Sequence, residues 1–230
     1  MLINLLNRYL TKAKGQSYKI SDQVSDSYLL GLMISRILMV LRGKISLISH
    51  RGLLFIGNNV VIKSKRLIKL GRGVTIDSSC YIDALSTEGI SFGDNVSISK
   101  RSVIECSGSL KFLGKGIKVG NNVGLGRDCF YGCAGGIVIG DDTIIGNYVS
   151  FHSENHNAND LEIPIRLQGV NHKGIVVGSN CWIGAKVTIL DGADIQDGCI
   201  IAAGAVVAAG TYELNGIYGG VPAKLIKFRR

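Results

Sequence analysis

Val177, Ile183, Ile189, Ile195, Ile201 and Val207 stand six residues apart without a break. Between them, the fifth place of each hexad holds a small residue: Cys181, Val187, Ala193, Cys199 and Ala205. A period of six fits neither the 3.6 of an α-helix nor the 2 of a strand. It requires a chain that turns a corner every six residues and wraps into a prism. The opening aliphatic and the small fifth residue then both face inward. A repeat of this length is the mark of a parallel β-helix.

The same beat recurs upstream in four runs: Leu70–Ile76–Ile82, Phe92–Ile98–Ile104–Leu110, Val119–Leu125–Tyr131 and Ile139–Ile145–Phe151. Its phase breaks near 84–91, 111–118, 132–138 and 152–176. Short breaks read as corner bulges and the last as an excursion. G-D-N, G-N-N, G-D-D and G-S-N punctuate the hexads, and these are residues that tolerate positive φ. Of the six cysteines, Cys80, Cys129, Cys181 and Cys199 fall on the small inward place and read as packing groups. No His sits beside Cys129 and Cys133 to complete a metal set. Free buried thiols suit a reducing compartment.

The net charge of +9 is unevenly placed. Residues 1–72 hold 13 Lys/Arg against two acids, a surplus of 11; residues 73–230 hold 13 against 15. The same third contains Tyr28–Leu41, apolar almost all round, with Arg36 in its middle and Arg42 and Lys44 after it. A helix of that length spans about 21 Å, short of the roughly 30 Å of a bilayer core. Two readings stay open: a helix packed on the prism end or a neighbouring subunit, or a basic apolar segment resting on an anionic membrane face. Nucleic acid is disfavoured, because the basic residues do not alternate with exposed aromatics. The first ten residues lack a basic n-region before an apolar core, so no cleavable export signal is expected.

Hexads place groups rigidly but carry few reactive side chains, so chemistry belongs where the beat stops. Residues 150–174 are polar and hold His152, His156 and His172. Imidazole near neutrality can take a proton from a hydroxyl. Zinc on these three histidines, with Glu154 between the first two, is an alternative, and so is a plain surface loop. Spacing alone does not choose among the histidines.

The order I-G-D-D-T-I-I-G-N-Y-V-S-F-H-S-E-N-H, a loop, G-S-N-C-W-I-G-A-K-V-T-I-L-D-G and G-G-V-P-A-K-L-I resembles the hexapeptide-repeat acyltransferases, in particular sugar O-acetyltransferases. The likeness covers roughly residues 55–228, and I-P-I-R-L-Q-G is similar to members of polysaccharide and O-antigen assembly. It implies an all-β, left-handed parallel β-helix over 55–228 with an excursion at 152–174, assembled as a homotrimer; residues 1–54, which lack hexads and carry their own charge balance, are expected as an N-terminal helical appendage. It implies acetyl-CoA as co-substrate, no metal, and a sugar or oligosaccharide hydroxyl as acceptor. The general base carried over is His156. The positions toward CoA are Trp182, Gly184, Ala185, Ala203 and Lys224, the last within a closing motif that includes Gly220, Pro222 and Ala223. Glu154, Asn155 and Asp160 fall toward the acceptor, and Glu154 or Asp160 would orient the imidazole. Where the family places Thr-Lys, this chain has Ala208 and Ala209, which shifts the CoA phosphate contacts elsewhere; Lys224, Lys227, Arg229 and Arg230 are candidates. The expected setting is cytoplasmic, with peripheral contact at the inner membrane face. Alternatives are N-acetylation of an amino sugar, O-acetylation of serine, and a non-catalytic β-helix scaffold or binding subunit.

Overall fold

The computed structural model describes residues 7–8, 11, 17, 19–48 and 50–230. Most of the first ten residues, and Lys12 and Lys14 of the basic surplus, lie outside them. From Leu54 the chain is a left-handed parallel β-helix. Strands β1 (Leu54–Ile56), β2 (Val61–Lys63) and β3 (Ile68–Leu70) start the three faces of the prism. The faces grow to nine, seven and seven strands. A bare coil takes 18 residues, as the pairing of Trp182 with Ile200 shows.

The inward reading of the hexads holds. Val177, Ile183, Ile189, Ile195, Ile201 and Val207, and the small residues Cys181, Val187, Ala193, Cys199 and Ala205, are each at most 2% exposed. All six cysteines are buried and free, and burial pushes the Cys181 thiol up to about 11. Leu110 is a correction: it is 84% exposed, because the chain leaves the prism after Cys106, earlier than the phase break suggests.

The corners explain the punctuation. Between the third and first faces, Asn95, Asn122, Asp142 and Asn180 all turn at φ of 54–58°. Short polar side chains tolerate this left-handed region best. Their neighbours zip the edge together. Backbone amides of Arg72, Asp94, Asn121 and Ser179 donate to the side chains of Asp94, Asn121, Asp141 and Asp197, each one coil further on. The zipper satisfies corner amides that no strand partner reaches.

Every excursion instead leaves between the second and third faces, at residues 84–89, 106–116, 133–136 and 153–174. The pairing of Ile144 with Trp182, 38 residues on, measures the longest. One prism edge is thus permissive and two are strict.

Ahead of the coils runs helix α1 (Asp26–Ser46), longer at each end than the Tyr28–Leu41 expected. Its 21 residues span about 31 Å. The Ser25 hydroxyl accepts from the Tyr28 amide at 3.3 Å, capping the start, with Asp26 in the first turn and Lys44 in the last, where each complements the helix dipole. Leu29, Met39 and Gly43 are its buried residues, and the helix meets the first strand at Leu54. A Cβ at Gly43 would strike the Leu54 carbonyl, so glycine sets this close approach. The other end of the prism closes where Gly216–Gly219 pairs antiparallel with Lys224–Phe228.

Shortening a stacked aliphatic leaves a void that neighbouring coils cannot fill. Ile189→Ala should lower stability by about 2–5 kcal/mol in denaturant unfolding, while Val138→Ala on an outer face should cost under about 0.5 kcal/mol. Equal effects would contradict the assigned inward register.

Candidate active site

Strand Ser150–His152 on the second face delivers the chain to the permissive edge, where the 153–174 excursion begins. Its base is a two-stranded ladder in which Asn155 faces Asn171 and His156 faces Val170. Asn157 extends the ladder, its amide donating to Gly169 O at 3.0 Å and its side chain to Gln168 O at 3.0 Å. Gln168 knits the tip by donating to Asp160 O and Ile163 O at 2.7 and 2.6 Å.

Asp191 latches both ends of this excursion to the prism. It is 4% exposed. Its carboxylate accepts from the amides of Lys173 and Gly174 at 2.8 and 2.7 Å on the return limb. It also accepts from Asn155 Nδ2 at 3.2 Å, beside His156. Bonds to an ionised acceptor are the stronger kind. The outgoing limb is tied in turn through Ser153, whose hydroxyl donates to Gly132 O at 2.7 Å and accepts from Gly135 N at 2.9 Å.

The three loop histidines take different places. His156 is exposed on the ladder, and His172 lies against the Gly135 corner. His152 closes a cleft of about 190 Å³ lined by Glu105, Phe130, Gly132, Ser153 and Glu154 among others. This cleft has a simple origin. Glu105, Gly132 and His152 are neighbours down the second face, and the glycine leaves a notch between the two side chains. The Phe130 ring folds over Gly132 and meets the His152 ring at 5.6 Å between centroids. Among the described residues no three His, Cys, Asp or Glu side chains gather as a metal set.

Of the residues expected toward the acceptor, Glu154 is half-buried in the notch, and Asn155 is bound to Asp191. Asp160 stands further out, its carboxylate accepting from the Glu162 amide at 2.9 Å. Neither Glu154 nor Asp160 is hydrogen-bonded to His156. The residues expected toward CoA gather elsewhere. Trp182 is 55% exposed on the first face. Gly184, Ala185 and Ala203 stack at the corner between first and second faces, where a Cβ on Gly184 would crowd Ala203 N at 2.6 Å. Lys224 opens the terminal strand. The histidine loop and this group therefore occupy different edges of one prism. Arg229, a candidate for phosphate, donates to Gly198 O at 2.7 Å and serves the fold. Beside Ala209, the Lys173 stem covers Gly192.

Sequence reasoning missed Asp191, Phe130 and Glu105. The first is an acid where the preceding coils place small or polar corner residues. The other two are ordinary strand residues until Gly132 is seen to sit between them.

Residues 174–209 match the family model described as bacterial transferase hexapeptide (six repeats). The chain is 31% identical over 173 residues to the probable acetyltransferase Rv3034c of Mycobacterium tuberculosis, across 75% of this chain and 53% of that protein. It is 29% identical over 98 residues to WbbJ of Escherichia coli, described as a lipopolysaccharide biosynthesis O-acetyl transferase, across 40% and 50% of the two chains. The chain thus spans about half the length of the curated relatives it matches. Among solved structures, it is similar to AntD, an N-acyltransferase from Bacillus cereus in complex with dTDP and 3-hydroxybutyryl-CoA. That likeness has a TM-score of 0.56 at 19% identity, over 82% of this chain and 88% of AntD, and it speaks for the fold.

The Asp191 latch can be tested without any substrate. Asp191→Ala leaves the Lys173 and Gly174 amides without an acceptor, at a cost of about 1–3 kcal/mol. Hydrogen exchange at those amides and proteolysis within 155–172 should both accelerate, with the remaining coils still protected.

Proposed function

We propose that this chain, a hexapeptide-repeat left-handed β-helix protein, transfers an acetyl group from acetyl-CoA to a sugar hydroxyl, in the building of a surface polysaccharide or its precursor. The observation that carries the reading is the histidine-bearing excursion, clamped at its base by Asp191 and issuing from the one permissive edge of a rigid prism. The acetyltransferase relatives and the match of the 174–209 coils support it.

His156 is the proposed general base. It takes the acceptor hydroxyl proton as the oxygen attacks the thioester carbonyl; the tetrahedral intermediate collapses, and the CoA thiolate leaves with the proton returned by the imidazolium. The notch beside Gly132 suits one pyranose ring: Phe130 offers an apolar platform, and Glu105 and Glu154 accept hydroxyl hydrogen bonds. Because the loop and the group at Trp182, Gly184, Ala185 and Ala203 lie on different edges, a site needs the loop of one copy against the CoA-binding edge of the next. A closed three-membered ring provides this in every interface. With alanine at 208 and 209, the cation proposed to meet CoA phosphates is Lys173, which reaches the same corner.

The two carboxylates at the notch favour one second reading, N-acetylation of an amino sugar, whose ammonium they would attract.

His156→Ala should lower kcat by roughly 10²–10⁴-fold at unchanged Tm, and His152→Ala should act mainly on the acceptor KM. A dead His152 variant beside an active His156 variant would assign the base the other way. CoA release with neutral and amino sugars in parallel decides between the two acceptors, and sedimentation equilibrium should give three chains per particle.

A further inference from the structure

We propose that helix α1 seats the protein on an anionic membrane surface, lying in the plane of the headgroups. The proposal stands apart from the acyl-transfer reading.

The helix is apolar on two opposite faces. One is spent on the first coil. On the other, Leu30, Ile34, Ile37, Leu41 and Ile45 recur every three or four residues, and each is more than half exposed. At 100° per residue they form a stripe about 80° wide, which Ile48 continues. Isolated exposed leucines are ordinary, but a continuous stripe of branched aliphatics marks a contact surface.

Charge selects the partner. Residues 19–72 hold ten basic side chains and two acidic ones. Of the acids, Asp22 is paired with Lys19 at 3.3 Å. Arg42, Lys44, Arg51, Lys65, Arg66 and Lys69, on the helix and the first coil it covers, make no ion pair among the described residues. A second copy meeting this face through the same face would bring an equally basic surface against it, and like charges would oppose that contact. A bilayer with anionic lipids accepts both features: the stripe enters the headgroup–acyl boundary and the cations meet phosphates and carboxylates. Two such signals together give stable peripheral binding where one alone is marginal.

The helix lies on the membrane and does not cross it. No helix among the described residues is long and apolar enough to span. Arg36, in its middle, is held on the prism side, 5.2 Å from the Phe55 ring centroid and 3.4 Å from Thr75 Oγ1.

The test is cosedimentation of the full chain with phosphatidylcholine vesicles, with and without about a third phosphatidylserine, at low and high salt. The protein should bind the anionic vesicles, fail to bind the neutral ones, and lose affinity with salt. Ile37→Glu/Leu41→Glu should weaken binding about tenfold or more at unchanged Tm, and Lys65→Glu/Arg66→Glu should do the same from the charge side. Absent binding, equal binding to both vesicles, or a stripe variant that binds like the parent would overturn the proposal. A fall in particle mass on Ile37→Glu/Leu41→Glu would also overturn it, by showing that the stripe joins copies of the chain.

Discussion

Everything in this molecule hangs on a corner taken every six residues. A strand of two or three residues cannot stand alone, and it gains partners only if the chain returns to the same face in register. That demands a turn of fixed geometry at each edge and an inward side chain of fixed size beside it. Asn95, Asn122, Asp142 and Asn180 meet the first demand by sitting in the left-handed region at little cost. Cys181, Val187, Ala193, Cys199 and Ala205 meet the second, because the tight corner has room for a short side chain but not for a long one. A slip of one residue would turn the whole aliphatic column outward. The repeat therefore tolerates insertion only where an edge lacks the side-chain zipper.

That asymmetry decides where chemistry can go. The edge between third and first faces is occupied by the carboxylate and amide ladder from Arg72 to Asp197. The edge between second and third faces has no such ladder, and all four excursions use it. The longest excursion is not loose. Asp191 fastens both limbs, through Asn155 and through the amides of Lys173 and Gly174, so the loop inherits the rigidity of the coil beneath it. The general base proposed at His156, which must meet a hydroxyl within hydrogen-bond reach, would gain more from such a clamp than from flexibility.

The fold was legible because its signal is periodic, and periodicity survives without knowledge of contacts. The inward aliphatics, the packing role of the cysteines and the position of the long loop all follow from it. Leu110 shows the limit: it keeps the six-residue beat by coincidence after the chain has already left the prism at Cys106. The candidate site was legible only in part. His156 and Trp182 stand out by residue type and place. The notch does not, since it arises from three coils, with Glu105 and His152 brought together by the absence of a side chain at Gly132. Asp191 was hidden for a similar reason: its partners lie 17 to 36 residues before it.

Helix α1 presents the reverse case. Its sequence reads as apolar throughout, which says that it must be covered but not by what. The prism supplies cover for one side only, because a single coil end can pack against one face of a cylinder. Gly43 marks that choice, as it is where the helix backbone touches the first strand. The side left over repeats every three or four residues, the spacing of a contact face, and apart from Asp26 in the first turn the charged side chains of the helix are basic. A purely structural helix would need neither the uninterrupted outer stripe nor the unpaired cations, and two copies meeting through this same face would set like charges against each other. Both features together describe a surface made to meet something apolar and anionic at once.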